Sequence, residues 1–250
     1  MKALSSRRQS RWPSRAWWLA LLVVIGPAGT TVGMAASLSL SSANLTVVRT
    51  CVLTAASSTS PVAIDSGVQQ ASATSNFGTA SSANVTSQSP SKNTRIYLKF
   101  DLSQCRPAIP TSATVTLATL RLYPTAIPIG TACRTHDLFK VGASWTETGI
   151  TWNNQPFGPT VNNPATGTRT DAFTVGPSSA GCQNTATGQY VTGWNVTADV
   201  QTFVATPSTN FGWMIRDDAE DSGVANTTYS MREHSSGLVQ GPQLILTYKT

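Results

Sequence analysis

The sequence predicts an all-β protein: a single antiparallel β-sandwich of jelly-roll type with one short helix. The first observation is residues 94–102, TRIYLKFDL, in which apolar and polar side chains alternate strictly, as in a half-buried strand. The second is a series of similar short segments separated by turn residues, which is typical of antiparallel sandwiches. The third is that almost nothing after residue 36 keeps helical period, which argues against a nucleotide-binding parallel sheet.

The strand candidates run from two short apolar segments in a Ser- and Thr-rich stretch to the C-terminus. They are residues 51–55, 61–64, 94–102, 113–123, 135–141, 171–175, 211–216, 227–233 and 243–249. Apolar side chains recur at helical spacing and predict the helix: Val196, Val200, Phe203 and Val204. Thr197 can cap its start, and the helix ends before Pro207.

The first 36 residues have the pattern of a signal peptide. Five basic residues precede the apolar segment 16–25, and small residues at 33–36 offer a cleavage site. The apolar run is shorter than the roughly 20 residues of a membrane-spanning helix. We therefore predict residues 1–36 as signal peptide, 37–50 as an N-terminal segment and 51–250 as the β-sandwich of a secreted, extracellular protein without a membrane span.

Removal of the leader changes the charge balance. The chain has 17 Lys and Arg against 11 Asp and Glu, and five of the basic residues lie in the leader, which leaves 12 against 11. A chain this close to neutrality gives no indication of a nucleic-acid partner. We expect a monomer.

All four cysteines, Cys51, Cys105, Cys133 and Cys182, follow the leader, and none has the spacing of a metal ligand set. In an exported protein this predicts two disulfides. Three pairings are possible, of which we favour Cys51 with Cys105 and Cys133 with Cys182.

Carbohydrate binding requires aromatic faces beside polar groups, and an acidic polysaccharide adds a requirement for arginine or lysine. The polar face of residues 94–102 offers Arg95, Tyr97 and Lys99 in a row. Further candidates lie on or beside other predicted strands: Arg121, Arg216, Tyr229 and Arg232. The alternative is an ordinary solvated face whose arginines pair with acids.

The acidic run Asp217, Asp218, Glu220 and Asp221 lies in the loop between two predicted strands. Clustered oxygen ligands suit a hard cation, so this loop is a candidate site for structural calcium, although its spacing differs from an EF-hand. The alternative is a solvated acidic loop.

Candidates for catalysis are few, and we assign no catalytic residue. His136 and His234 lack a partner at a motif spacing, and there is no nucleophile elbow, HExxH motif or phosphate-binding glycine loop. A glycosidase needs only two facing carboxylates, for which Glu147, Glu220 and Glu233 are the candidates.

Residues 144–158, SWTETGITWNNQPFG, contain two tryptophans beside polar residues. Trp152 shares a face with Ile150 in the strand-like GITW, so we predict that it packs inside the sandwich. Trp145 is predicted to cap the core, in preference to sugar stacking, and residues 153–155 to form a turn.

Several segments in order resemble the DNRLRE-type domain, also classed as carbohydrate-binding module family 96 and related to disaggregatases. They are RIYLKFDL, SATVTLATLRLY, SWTETGITWNNQP, WNVTADVQTFV, FGWMIRDD, YSMRE and GPQLILTY. The resemblance implies an exposed jelly-roll sandwich that binds polysaccharide, uronate-rich polymers such as alginate included. The leading hypothesis is therefore a secreted, non-catalytic binding module. A structural or adhesive surface protein is the second hypothesis, and a polysaccharide lyase or hydrolase is the third.

Overall fold

The structure is a computed structural model that describes residues 46–56, 61–128, 130, 132–235 and 240–250. These belong to one compact unit, Asn44–Thr250. The predicted signal peptide, residues 1–36, lies outside the described residues. Within the described ranges, no helix is long and apolar enough to cross a membrane.

The described part of the chain is built almost entirely from strands, joined by turns and short 3-10 segments. The strands are β1 (Val48–Thr54), β2 (Ala63–Gln69), β3 (Ser82–Gln88), β4 (Thr94–Phe100), β5 (Thr114–Arg121), β6 (Pro124–Ala126), β7 (Arg134–Lys140), β8 (Asp171–Val175), β9 (Trp194–Asn195), β10 (Trp213–Asp217), β11 (Val224–Ser230) and β12 (Gln243–Lys249). The helix is α1 (Thr197–Ala205).

The strands form two sheets with antiparallel pairing throughout. Sheet A has the order β1-β12-β5-β9, and sheet B has the order β6-β11-β3-β4-β10-β7-β8, with β2 also paired along the length of β4. The prediction of an all-β sandwich with one helix is confirmed. The jelly-roll topology within that class stays a prediction.

The main core lies between the sheets. Ile96, Leu98 and Phe100, which alternate along β4, all face into it and are almost fully buried, as are Leu244 and Leu246 of β12. This is the apolar face that the alternation of residues 94–102 predicts.

Helix α1 packs Val200, Phe203 and Val204 against the same core. Its start differs from the prediction, because Thr197 is the first helical residue and not the cap. The side chain of Asn195 accepts the Thr197 N–H at 3.1 Å instead.

A second apolar cluster lies on the opposite face of sheet B. Tyr97, Phe139 and Met214 project from β4, β7 and β10 and pack against Ile150 and Trp152. The loop after β7 therefore covers this face, and sheet B is buried on both sides. GITW forms turns rather than a strand, but the prediction that Trp152 is packed inside is confirmed, since the residue is 2% exposed.

Sheet A differs, because its outer face stays open. Val52 of β1 and Leu117 of β5 are more than half exposed there. Two disulfides are present, and their pairing is the one favoured from the sequence. Cys51–Cys105 joins β1 to a loop, and Cys133–Cys182 joins the residue before β7 to the segment that follows β8.

Candidate functional site

Arg95, the first residue of the predicted binding face, is fully buried beneath the loop that covers sheet B. Its guanidinium carbon lies 4.5 Å from the ring centroid of Trp152. Nε and one terminal nitrogen donate to the two carboxylate oxygens of Glu220, each at 2.7 Å. The other N–H groups donate to Gln155 Oε1 and to the carbonyl oxygens of Gly158 and Thr160. All five donors are used, so the expectation of a solvated Arg95 is wrong.

Tyr97, Arg216 and Tyr229 also lie inside the protein. Tyr97 belongs to the covered face of sheet B, and burial raises the pKa of its hydroxyl. The Arg216 guanidinium is buried 5.1 Å from the ring centroid of Phe139. Tyr229 lies in the main core, with its hydroxyl 2.9 Å from His136 Nδ1. The expectation that these three residues line an open face is therefore wrong, because two layers of packing cover them.

Arg232 lies in a cluster of carboxylates. It donates to both oxygens of Glu147, from Nε at 3.1 Å and from a terminal nitrogen at 2.7 Å, and it also contacts Glu233. Its backbone N–H donates to Asp65 at 3.0 Å. Burial, together with the negative charges of Glu233 and Glu147, raises the pKa of Asp65 to about 8. Arg232 is thus held by acids of the protein itself.

The three glutamates from which a catalytic pair was considered lie at two different sites. Glu147 and Glu233 share the guanidinium of Arg232, whereas Glu220 binds Arg95.

The acidic run predicted as a calcium site comprises Asp217, Asp218, Glu220 and Asp221. Asp217 accepts from Arg134, Glu220 accepts from Arg95, and Asp221 accepts from the Asn93 side chain at 2.6 Å. No group of three or more Asp, Glu, His or Cys side chains in the described ranges is arranged to hold a metal ion. Calcium stays a prediction, which a comparison of melting temperatures in calcium and in EDTA tests.

Lys99 and Arg121 are the two predicted ligand residues that remain partly exposed. Lys99 lies near the end of β4, where the backbone of Gly212 approaches it closely. Arg121 ends β5 in sheet A, and its guanidinium carbon lies 5.1 Å from the ring centroid of Tyr190. Its Nε donates to the Val191 carbonyl at 3.3 Å. Among the described residues Arg121 forms no ion pair, so its terminal N–H groups are available to a ligand.

Arg121 lies in a polar cleft of about 300 Å³, which we call the Arg121 pocket. Its lining residues are Arg121, Gln183, Asn184, Thr185, Ala186, Gln189, Tyr190, Val191 and Thr192. Two contacts hold Tyr190 in place. Its hydroxyl donates to the Gly241 carbonyl at 2.8 Å, and its ring packs edge-on against Tyr123, with 5.5 Å between the ring centroids. The pocket therefore combines a cation, a partly exposed aromatic ring and several amides and hydroxyls.

Asn184 is part of the pocket wall and is 7% exposed. Its Oδ1 accepts the Thr192 N–H at 2.7 Å, but its Nδ2 has no hydrogen-bond partner within the described part of the chain. A buried amide without a partner costs about 1–3 kcal/mol. Asn184 thus contributes a buried donor without a partner to the pocket wall.

Two constraints position the wall. Cys182, directly before Gln183, is bonded to Cys133, the residue before β7. Gly193 has φ +99°, and a Cβ there would lie 2.6 Å from the Leu120 carbonyl and 2.9 Å from Arg121 Cγ. A glycine is therefore required for the loop to come this close to Arg121.

Sequence reasoning missed Gln183, Asn184 and Tyr190. These residues lie in a loop without periodicity, and only the tertiary structure places them in one pocket with Arg121. The usable signal was a tyrosine among Gln, Asn, Thr and Gly directly after a half-cystine.

An antiparallel sandwich with an accessible pocket of aromatic and hydrogen-bonding groups is compatible with the binding of a small ligand or a sugar. The family comparison gives the particular class: the sequence model of carbohydrate-binding module family 96 matches residues 56–248. The chain belongs to this family. No curated protein matched the chain.

Proposed function

We propose that this protein is a secreted, non-catalytic carbohydrate-binding module that binds an extracellular polysaccharide in the Arg121 pocket. The observation that carries the proposal is a partly exposed arginine that stacks on Tyr190 and forms no ion pair among the described residues. Membership of a carbohydrate-binding family supports the class of ligand. The two disulfides suit an oxidising, extracellular environment.

The chemistry of the pocket favours a uronate-rich polymer. A guanidinium binds a carboxylate through two parallel, charge-assisted hydrogen bonds, which are about twice as strong as neutral ones. The exposed side chains of Gln183 and Gln189 can form hydrogen bonds with sugar hydroxyls, and Tyr190 offers an aromatic surface. A neutral polymer would give the arginine no negatively charged acceptor.

Affinity electrophoresis of the purified protein tests the proposal in gels that contain alginate, pectin, xylan or soluble cellulose. We expect retardation by alginate or pectin, and Arg121→Ala should weaken it about tenfold or more, the cost of losing hydrogen bonds to a charged group. Arg49→Ala is the matched control, because it removes the same charge from an exposed position of β1. Its retardation should equal that of the wild type.

The outcomes separate the hypotheses. No retardation by any acidic or neutral glycan contradicts carbohydrate binding and supports a structural or adhesive role. Retardation that Arg121→Ala leaves unchanged moves the site elsewhere on the protein. Release of reducing or unsaturated ends from the retained polymer identifies a hydrolase or a lyase.

A further inference from the structure

A second concave site lies on the loop that covers sheet B, away from the Arg121 pocket. It is a groove of about 280 Å³, which we call the Trp145 groove, and its lining residues are Ser144, Trp145, Thr146, Gly149, Ile150 and Asn154. The two sites share no lining residue. No charged side chain lines the groove, whereas the Arg121 pocket is built around a guanidinium.

Trp145 differs in burial from the other tryptophans of the described chain. Trp152, Trp194 and Trp213 are at most 2% exposed and belong to the two cores. Trp145 is partly exposed and lines the groove, although its ring also meets the edge of Tyr97 at 5.7 Å. The prediction that Trp145 packs against the core is confirmed, and the partly exposed ring also lines the groove.

The Trp145 ring is held in a defined orientation. Its Nε1 donates to the Phe211 carbonyl at 2.8 Å, which ties the indole to the segment before β10. A ring fixed in this way loses little conformational entropy when a ligand stacks on it.

The floor of the groove is equally ordered. The side chain of Asn154 donates to the Gly149 carbonyl at 2.9 Å and accepts the Thr151 N–H at 2.7 Å. A Cβ at Gly149 would lie 2.4 Å from Thr146 Oγ1, so a larger residue at this position would displace the Thr146 side chain. By contrast, the hydroxyl of Ser144 forms no hydrogen bond within the described ranges and is exposed.

We propose that the Trp145 groove is a second carbohydrate site, specific for an uncharged sugar residue. An aromatic ring suits the apolar face of a pyranose, and neutral hydroxyl and amide groups beside it suit sugar hydroxyls. A uronate would find no cation in this groove to match its carboxylate. The volume lies just below the roughly 300–1,000 Å³ of pockets for drug-sized ligands, so it suits one sugar unit or the end of a chain.

Calorimetric titration with neutral hexasaccharides of glucose, xylose and mannose tests the proposal. We expect one of these series to bind, and Trp145→Ala to weaken that binding at least tenfold while retardation by acidic polysaccharide changes less than twofold. Arg121→Ala should have the reverse effect. Tyr190→Ala is the matched aromatic control, because it removes a partly exposed ring from the other site.

Two further measurements keep the test decisive if Trp145→Ala folds poorly. Ser144→Ala removes a hydroxyl that makes no internal hydrogen bond, and we expect it to reduce the affinity about threefold without a change in melting temperature. The indole N–H resonance of Trp145 should shift during the titration, and that of Trp152 should not.

The proposal is overturned if the wild type binds no neutral hexasaccharide, or if the Trp145→Ala and Ser144→Ala variants bind as tightly as the wild type. Because the readout uses neutral sugars and a different residue, its failure is distinct from a failure of the Arg121 pocket.

Discussion

Arg95 and Arg121 lie on strands of opposite sheets, and each guanidinium stands over an aromatic ring. Arg95 is fully buried, pairs with Glu220 and uses all five N–H donors inside the protein. Arg121 is partly exposed and donates one N–H to a backbone carbonyl. The difference comes from what covers each sheet: the loop after β7 packs over β4, whereas the outer face of β5 is open.

This contrast separates the charges that stabilise the protein from the charge that can bind a ligand. Buried charges must be paired and hydrogen-bonded, because their desolvation is costly. The covered face meets this demand with Arg95 and Glu220, and with Arg232 and its carboxylates. At the Arg121 pocket the guanidinium is partly exposed, so solvent can satisfy its remaining N–H groups.

The largest expected effect is the loss of stability in Arg95→Ala. Removal of one partner leaves the Glu220 carboxylate buried and uncompensated, which costs about 3–5 kcal/mol. Chemical denaturation measures the free energy of unfolding, and Arg121→Ala should lower it by about 1 kcal/mol or less.

A double variant sharpens the first prediction. Arg95→Met combined with Glu220→Gln removes both charges and should recover much of the loss, since an uncharged replacement of a buried pair is often close to neutral. Equal stability losses in Arg95→Ala and Arg121→Ala would contradict the contrast between the two arginines.

The disulfides give the next largest effect, and they separate a contribution to stability alone from a contribution to the Arg121 pocket. The cysteines are 49 positions apart in Cys133–Cys182 and 54 apart in Cys51–Cys105, so replacing either pair with serine should cost a similar amount, about 2–4 kcal/mol. Only the first pair anchors the wall of the Arg121 pocket. Polysaccharide binding, measured below the melting temperature of each variant, should therefore fall in the Cys133/Cys182 variant and persist in the Cys51/Cys105 variant.

Stability should also depend on pH through the covered acid Asp65. Its pKa is raised to about 8 from 3.8, mainly by burial, so the folded protein keeps a proton that the unfolded chain releases. The free energy of unfolding therefore falls as the pH rises from about 4 to about 8. Chemical denaturation across this pH range should show that the free energy of unfolding falls less steeply in Asp65→Asn than in the wild type. An identical slope in the variant would contradict the assignment.

His136 should act in the opposite direction. Burial lowers its pKa to about 3 from 6.5, so the unfolded chain binds a proton that the folded protein excludes. Its contribution to stability is present above pH 6.5 and is lost as the pH falls towards 3. Taken with Asp65, this places the stability maximum between about pH 4 and 6.5, where the two slopes oppose each other. A maximum above pH 8 would be inconsistent with the raised pKa of Asp65, and a maximum below about pH 3 would be inconsistent with the lowered pKa of His136.

The smallest expected effect is that of Arg121→Lys on polysaccharide binding. Lysine keeps the charge but lacks the planar fork and the flat face that stacks on Tyr190, so affinity should fall roughly threefold to tenfold. Increasing salt should weaken polysaccharide binding by both the wild type and Arg121→Lys, because both proteins keep a charge that is open to solvent. Full affinity in the lysine variant would show that charge alone, and not guanidinium geometry, sets recognition.

Much of the fold was readable from the sequence. The alternation in residues 94–102 identified β4 and its apolar face, the apolar spacing after Val196 identified α1, and the cysteine count predicted both disulfides. The candidate site was predicted only at Arg121. The polar face of β4 was wrongly predicted to be open, because alternation separates two faces of a strand without showing what packs on the second.

The sequence by itself determined most of the strands, the helix, the family and the residue types that a sugar site needs, since these depend on local periodicity and on ordered motifs. It missed β3, β6 and β9. The tertiary structure alone decided which arginine is free. Glu220 lies 125 positions from Arg95 along the chain, and Tyr190 reaches Arg121 from a loop tied to β7 by a disulfide. Such contacts depend on sheet order and on loop packing, and hydrophobic periodicity carries no information about either.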